Sequence, residues 1–186
     1  MDKNSREAFL IGEKIYLRAF KESDEQMLAR LENHPDPRST LFYARPTTIE
    51  QQLEKTQKLL DDPNVLLFTI CKNEDDEPIG QTAFHRIDWI GRMAIFYIGI
   101  ADKENWSKGY GSEATKMMIE YGFNTVNLNR MQLHVAVENE AAIKVYERTG
   151  FKIEGTLREA MYHEGHYSDF YVMGVLRKDW ESLNHK

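Results

Sequence analysis

The sequence predicts an α+β fold, in which a mixed, mostly antiparallel sheet of about seven strands carries helices on its faces. Three β-type runs, 65–72, 78–87 and 93–100, are joined by short polar connections, which favours an antiparallel meander. A helical pattern then separates run 93–100 from run 131–137, and such a crossover forces a parallel pair. The 186 residues, 41% of them apolar, are enough for one core.

The N-terminal part predicts one strand and two helices. An alternating pattern over 14–20 indicates the strand, and Pro35 and Pro37 are expected to end the first helix. Capping boxes predict the two helix starts: Ser23 with Gln26, and Thr47 with Glu50. The second helix is expected to stop at Asp61.

The C-terminal part predicts two more helices and a hairpin. One helix covers 112–123, and Asn139 caps another that runs to about Thr149, where Gly150 is a natural terminator. The last strands, 151–162 and 167–176, flank a turn at 164–166. We expect a short tail over 1–10 and a single domain over 11–186.

Charge and composition limit the classes of function. The net charge of −6 argues against broad nucleic-acid binding, which requires clustered Lys and Arg. No run of about 18 apolar residues is present, and the N-terminus lacks an apolar signal segment. With Cys71 as the only cysteine, no internal disulfide can form, so a reducing, cytoplasmic location is expected.

A glycine loop, Lys108-Gly109-Tyr110-Gly111, precedes the third predicted helix. The N–H groups of such a loop and of the first helical turn can converge on one anion, aided by the helix dipole. Glycines let an oxyanion approach the backbone, and Lys108 adds a cation. The pattern therefore indicates a phosphate-binding site.

The loop alone leaves two other interpretations open, a tight turn and a dinucleotide site. Residues 109–114 satisfy G-x-G-x-x-A, but the polar stretch 102–107 separates strand from glycines and the chain has one strand–helix–strand unit. A Walker loop is excluded, because the Gly-Lys-Ser/Thr ending is missing.

A second cluster follows one crossover later, in the segment 138–151. Its Asn, Ala, Tyr and Gly-Phe resemble, in register, the second signature of the GNAT acetyltransferases: Asn139, Ala142, Tyr146, Gly150 and Phe151. The loop 106–114 is similar to that of the branch containing ribosomal-protein and spermidine N-acetyltransferases. The resemblance extends from about Ile11 to Leu176.

This resemblance implies the acyl-CoA N-acyltransferase fold, with a splayed central parallel pair, acetyl-coenzyme A as cosubstrate and no metal. The pyrophosphate is expected on the amides of Lys108, Gly109, Tyr110, Gly111 and Ser112. The pantetheine arm would run between the splayed strands and place the thioester near Tyr97, Ile98 and Gly99, with Asn139 and Ala142 beside the cofactor. Tyr146 would protonate the departing thiolate, since a phenol stays protonated at neutral pH.

The sequence departs from this branch where a general base is often found. The expected acid in an Ala-Glu-Phe stretch is replaced by Ile95, which cannot accept a proton. Polar residues on or beside the central strands remain as candidates: His85, Asp88, His134 and Glu138. The sequence does not choose among them, and positioning of amine and thioester can itself supply much of the catalysis.

The acceptor is open among a polyamine, a protein N-terminal amine and a small amine. Residues 154–167 resemble spermidine acetyltransferases, whereas Arg45 stands where those enzymes carry an acid and would repel a polycation. The alternative function is a coenzyme A-binding regulatory module with little turnover. No nucleic-acid or membrane partner is expected, and a homodimer is compatible with family analogy alone.

Overall fold

The computed structural model describes residues 7–163 and 165–184. The strands are β1 (Leu10–Ile11), β2 (Ile15–Arg18), β3 (Leu66–Lys72), β4 (Pro78–Asp88), β5 (Met93–Ile100), β6 (Arg130–Ala136), β7 (Lys152–His163) and β8 (His166–Leu176). The helices are α1 (Glu25–Asn33), α2 (Pro35–Leu41), α3 (Ile49–Leu60), α4 (Tyr110–Asn124), α5 (Glu140–Arg148) and α6 (Arg177–Asn184).

The strands form one sheet in the order β1-β2-β3-β4-β5-β6-β8-β7. Among the described residues, neighbouring strands are antiparallel except β5 and β6, which run parallel as the crossover predicts. The α+β fold with a mixed, mostly antiparallel sheet is therefore confirmed. The described sheet has eight strands rather than about seven, because Leu10, at the end of the predicted tail, pairs with Leu17.

Hydrophobic residues on the two faces of the sheet build two cores. The larger core packs α4 against the sheet through Ala114, Met118 and Phe123. The smaller core joins α1 to the opposite face through Leu28, Leu31 and Ala101. Alternation along β5 explains this division, since Phe96 points into the first core while Tyr97 points to the face that carries α1 and α2.

The predicted ends of the N-terminal helices were partly wrong. Pro35 begins α2 instead of only ending α1, because a proline fits the first helical position, where no N–H is needed. The α1 helix starts at Glu25 after a single 3₁₀ turn, so Ser23 is not its cap. The box of α3 is Thr48 with Gln51, one residue later than expected.

Further corrections concern the C-terminal half. The α4 helix begins at Tyr110, so Gly111 lies in its first turn and not before it. The helix α6 was not predicted. Of the predicted hairpin turn, Glu164 lies outside the described residues, while Gly165 has a left-handed φ of 88° that favours glycine. Within the described ranges, no helix combines the length and the apolarity needed to cross a membrane.

Candidate active site

The central parallel strands separate after a short paired segment. The β5–β6 ladder joins Met93 to Arg130, Ala94 to Met131 and Ile95 to Gln132, and then ends. Beyond this point β5 stays paired with β4 as far as Ile100, and β6 with β8 as far as Ala136. A gap therefore opens between the carboxyl ends of β5 and β6, where backbone groups facing it are free to pair with a ligand.

The glycine loop lies at the wide end of this gap. Gly109 is the N-cap of α4 with φ of 90°, a left-handed value that glycine adopts without strain. The first intrahelical bond runs from the N–H of Glu113 to the carbonyl of Gly109 (2.9 Å). The N–H groups of residues 110–112 precede that bond and point out of the helix end, as an anion site requires.

The space beside Gly111 fits an approaching ligand. A Cβ atom built at Gly111 would meet no protein atom within 4 Å, so the missing side chain leaves open room and serves no internal packing. The side chain of Thr115 donates to the Gly111 carbonyl (2.7 Å) and fixes this turn. Below the loop, Trp106 donates from its indole to the Ile100 carbonyl (3.2 Å). The loop is thus a hydrogen-bonded, open cradle of N–H groups that suits a pyrophosphate.

A distant segment fastens the loop. The carboxylate of Glu113, in the first turn of α4, accepts from the backbone N–H groups of Glu13 and of Lys14 (3.1 Å for Lys14). Lys14 in turn donates from its Nζ to the Lys108 carbonyl (3.0 Å). A second exposed cation therefore lies beside the loop, together with Lys108.

The α5 helix follows β6 and lies beside the gap, on the face of the sheet that carries the larger core. Asn139 caps it, accepting from the N–H of Ala142 (3.2 Å), and Gly150 ends it with φ of 103°. Tyr146 packs edge-on against Phe96 and Phe151, with ring centroids 6.4 and 5.8 Å away.

Burial sets the ionisation of Tyr146. It raises the pKa of the phenol to about 12, so the hydroxyl is protonated at neutral pH. Such a group can donate a proton to a leaving thiolate, whereas it cannot act as a base under the same conditions.

The opposite side of the gap carries a pair of tyrosines. Tyr97, on β5, and Tyr43, after α2, share a hydrogen bond between their hydroxyls (2.9 Å). The Tyr97 hydroxyl lies over Gly99, where an added Cβ would stand 2.9 Å from it. Burial raises the pKa of Tyr97, and Tyr43 and Tyr146 are close enough to raise it further. Tyr146 and Tyr97 therefore mark the two faces of one candidate site.

Elements from four parts of the chain form the wall around these tyrosines: α1, the segment after α2, α3 and the final hairpin. Phe42, with a left-handed φ of 57°, contacts His163 and Phe170 of the final hairpin at centroid distances of 5.0 and 5.1 Å. Glu32 of α1 is buried and pairs with Lys55 of α3. The Lys55 Nζ also lies 5.2 Å from the centre of the Tyr43 ring, a cation–π contact.

The sequence-predicted site residues lie around this one gap. Tyr97, Ile98 and Gly99 are on the splayed part of β5, and Lys108 to Ser112 form the loop and the first turn of α4. Asn139 is the N-cap of α5, and Ala142 and Tyr146 lie on that helix. Reasoning from sequence did not find Lys14 or the Tyr43–Tyr97 bond. No local signal marks Lys14, which is separated from Lys108 by 94 positions.

The chain matches the family model of the acetyltransferase (GNAT) domain over residues 14–152. It is 31% identical to the uncharacterized N-acetyltransferase p20 of Bacillus licheniformis, over 92% of this chain and 97% of that protein. It is 30% identical to a putative ribosomal N-acetyltransferase, YdaF, of Bacillus subtilis, over 92% and 96% of the two chains.

A solved structure shows the same fold. The spermidine N-acetyltransferase of Vibrio cholerae, in complex with CoA and spermine, superposes with a TM-score of 0.83 at 29% identity, covering 90% of this chain and 98% of that one. The splayed strands and the loop therefore belong to a fold that this chain shares with that enzyme. The chain belongs to the GNAT family of N-acetyltransferases.

Proposed function

We propose that this chain moves the acetyl group of acetyl-coenzyme A to a primary amine by direct attack, with both substrates bound at once. The observation that carries the proposal is the gap between β5 and β6, which has an anion cradle at one end and separate hydroxyls on its two faces. This arrangement supports a ternary complex, because cofactor and amine can enter from opposite sides.

The cofactor side is assigned to the loop and to α5. The N–H groups of residues 108–112 bind the pyrophosphate, with Lys108 and Lys14 adding positive charge. The backbone of Tyr97, Ile98 and Gly99 offers a strand edge to the amide groups of the pantetheine arm. Acetyl-coenzyme A supplies the thioester, and Tyr146 donates its proton to the sulfur when the C–S bond breaks.

The acceptor side is assigned to the wall around Tyr43 and Tyr97. A polyamine is one candidate, supported by the neighbour solved with spermine and by the net charge of −6. A protein N-terminal amine is another, supported by the ribosomal relative, and a small amine fits the same chemistry. Against a polyamine, Arg45 is exposed two residues after Tyr43, and the Glu32 carboxylate is already paired.

An amine panel tests the proposal. The purified protein is mixed with acetyl-coenzyme A and with spermidine, spermine, free-N-terminal peptides or simple monoamines, and released thiol is followed. We expect release with at least one class and a thermal shift with coenzyme A alone. A thermal shift without thiol release on any amine would instead support a binding module with little turnover.

A further inference from the structure

On the face of the sheet that presents Tyr97, strand β4 carries an unassigned imidazole, His85, beside Ile95, where the base is missing. The β4–β5 ladder pairs His85 directly with Ile95, so the two side chains stand next to each other on the same face of the sheet. That face also presents Tyr97, whose ring meets the His85 ring edge-on at 5.9 Å. His85 therefore lies on the side from which the amine approaches.

The ring of His85 is available for proton transfer. It is half-buried, and within residues 7–163 and 165–184 no hydrogen bond to either ring nitrogen is found. Burial lowers its pKa, and the charge of Arg86 lowers it further, against a smaller opposing effect of Asp62. The imidazole is thus neutral at pH 7 and has a free lone pair.

The backbone next to His85 is irregular. The ladder shifts register between His85 and Asp88, which marks a β-bulge, and Arg86 has a left-handed φ of 51°. Bulges of this kind often re-aim a neighbouring side chain at an active site, and a strained non-glycine residue needs support from its surroundings.

Other polar groups near the gap are less suited to accept a proton. Burial raises the pKa values of both Tyr43 and Tyr97, which keeps the two hydroxyls protonated. Glu32 is paired with Lys55. Asp88 accepts from the N–H groups of a tight turn (2.8 and 3.0 Å).

Two further candidates lie toward β6. Glu138 is exposed beyond the end of that strand. His134 is exposed on β6 and its ring contacts the Gln132 amide (3.3 Å). His134 is therefore the rival that an experiment must separate from His85.

We propose that His85 accepts the proton of the incoming ammonium and takes the place of the acid that Ile95 lacks. This inference rests on the proposed acetyl transfer. The amine enters as R–NH₃⁺ and gives one proton to a His85 ring nitrogen. Its lone pair then forms the C–N bond as the C–S bond breaks. The second proton lost from nitrogen replaces the one that Tyr146 gives to sulfur, and the imidazolium releases its proton to solvent.

The test is the pH dependence of kcat/KM for H85Q. In the unmodified protein we expect kcat/KM to reach a plateau at pH values above the lowered His85 pKa, because the neutral ring deprotonates the bound ammonium. In H85Q only the free amine reacts, so kcat/KM should rise steadily up to the amine pKa of about 10. The loss at pH 7 should be about 100-fold and should shrink as the pH rises.

Three further variants make the result decisive. H85N gives an independent removal of the base, and thermal shift with coenzyme A shows that each variant is folded and binds the cofactor. H134Q should keep the plateau. H85Q combined with I95E should recover part of the plateau, since register places residue 95 beside residue 85.

The outcomes separate this inference from the proposed function. An unmodified protein without thiol release on any amine would refute acetyl transfer and the role of His85 together. Turnover in the unmodified protein with an unchanged plateau in folded H85Q and H85N would refute the role of His85 alone. Loss of the plateau in H134Q, with H85Q unaffected, would assign the proton acceptor to His134.

Discussion

At the scale of single residues, environment decides what a common side chain does. Tyr146, Tyr97 and Tyr43 are all phenols with pKa values raised mainly by burial, yet one lies on the cofactor side of the gap and two on the acceptor side. The same burial that makes them proton donors leaves the task of base to a different chemical group. His85 meets that need, since burial makes an imidazole neutral instead of charged.

Substitution of Tyr146 by Phe should lower kcat by about 100-fold and leave coenzyme A affinity unchanged. The Phe ring keeps the contacts with Phe96 and Phe151, so only the proton donor is lost. Steady-state kinetics and calorimetric binding of coenzyme A measure the two effects. Tyr121→Phe, in the aromatic cluster with Phe9, is the matched control and should change neither. If Tyr146→Phe weakened coenzyme A binding as strongly as it lowered kcat, the role of Tyr146 as the acid would be excluded.

Substitution of Gly111 by Ala should weaken coenzyme A binding about tenfold, or about 1.4 kcal/mol. The added methyl group meets no protein atom and occupies the open space of the cradle. Because alanine favours helix, the free energy of unfolding should stay equal or rise. Gly155→Ala, also placed in open space but on β7, serves as control for binding. Unchanged affinity in Gly111→Ala would place the phosphates elsewhere.

At the scale of elements, the N-terminal strand and helices are held by buried polar contacts. Arg18 on β2 donates two hydrogen bonds to Asp24 (both 2.7 Å), and Thr69 on β3 donates a third (2.8 Å). Burial alone would raise the pKa of Asp24, but these bonds outweigh it and hold the pKa below its usual value. This contact fixes the chain just before α1, which carries one wall of the acceptor side.

Substitution of Asp24 by Asn should destabilise the fold by about 3–5 kcal/mol, because it leaves the Arg18 charge buried without its partner. Since the folded pKa of Asp24 is lowered, its contribution is present above the unfolded value of about 3.9 and is lost as the pH falls through the folded value. The difference in the free energy of unfolding between the unmodified protein and Asp24→Asn should therefore become smaller in acid.

Urea unfolding at several pH values measures this difference. Glu54→Gln, which breaks the exposed pair with Lys58, is the control and should change stability little. A difference in the free energy of unfolding that grew as the pH fell would contradict the role of the Asp24 carboxylate.

At the scale of the whole molecule, the acceptor wall is assembled from α1, the segment after α2, and the β7–β8 hairpin. Contacts of Phe42 with His163 and Phe170 join the segment after α2 to the hairpin. We expect the charge at the wall, rather than the net charge of −6, to govern which amines enter. Arg45 is the exposed cation in that segment.

Substitution of Arg45 by Glu should raise kcat/KM for spermidine about fivefold, with a smaller change for a monoamine. The physical reason is that spermidine carries further positive charges, which Arg45 repels, whereas a monoamine carries only one. Salt screens this repulsion and should reduce the difference between the two amines. Arg45→Gln is expected to lie between the two proteins. Equal changes for both amines would show that Arg45 lies away from the path of the substrate.

The sequence by itself determined the fold class, and it predicted the residues of the proposed cofactor site, because both depend on local patterns. The loop at the start of α4 and the spacing from Asn139 to Gly150 lie within single turns or helices. Some helix boundaries could not be predicted because the local sequence is ambiguous. Pro35 after α1 is equally compatible with the end of one helix and the start of the next.

The tertiary structure decided what lies on the acceptor side. Only strand register puts His85 beside Ile95, and only long-range packing brings Tyr43 to Tyr97 and Lys14 to the loop. From the sequence, His85 is only one of four candidate bases, and nothing marks Tyr43 or Lys14. A shift of one residue in a strand would turn His85 to the other face, so its place depends on register. Under the proposed function, contiguous backbone binds the cofactor, whereas the amine and its proton are handled by side chains that meet only after folding.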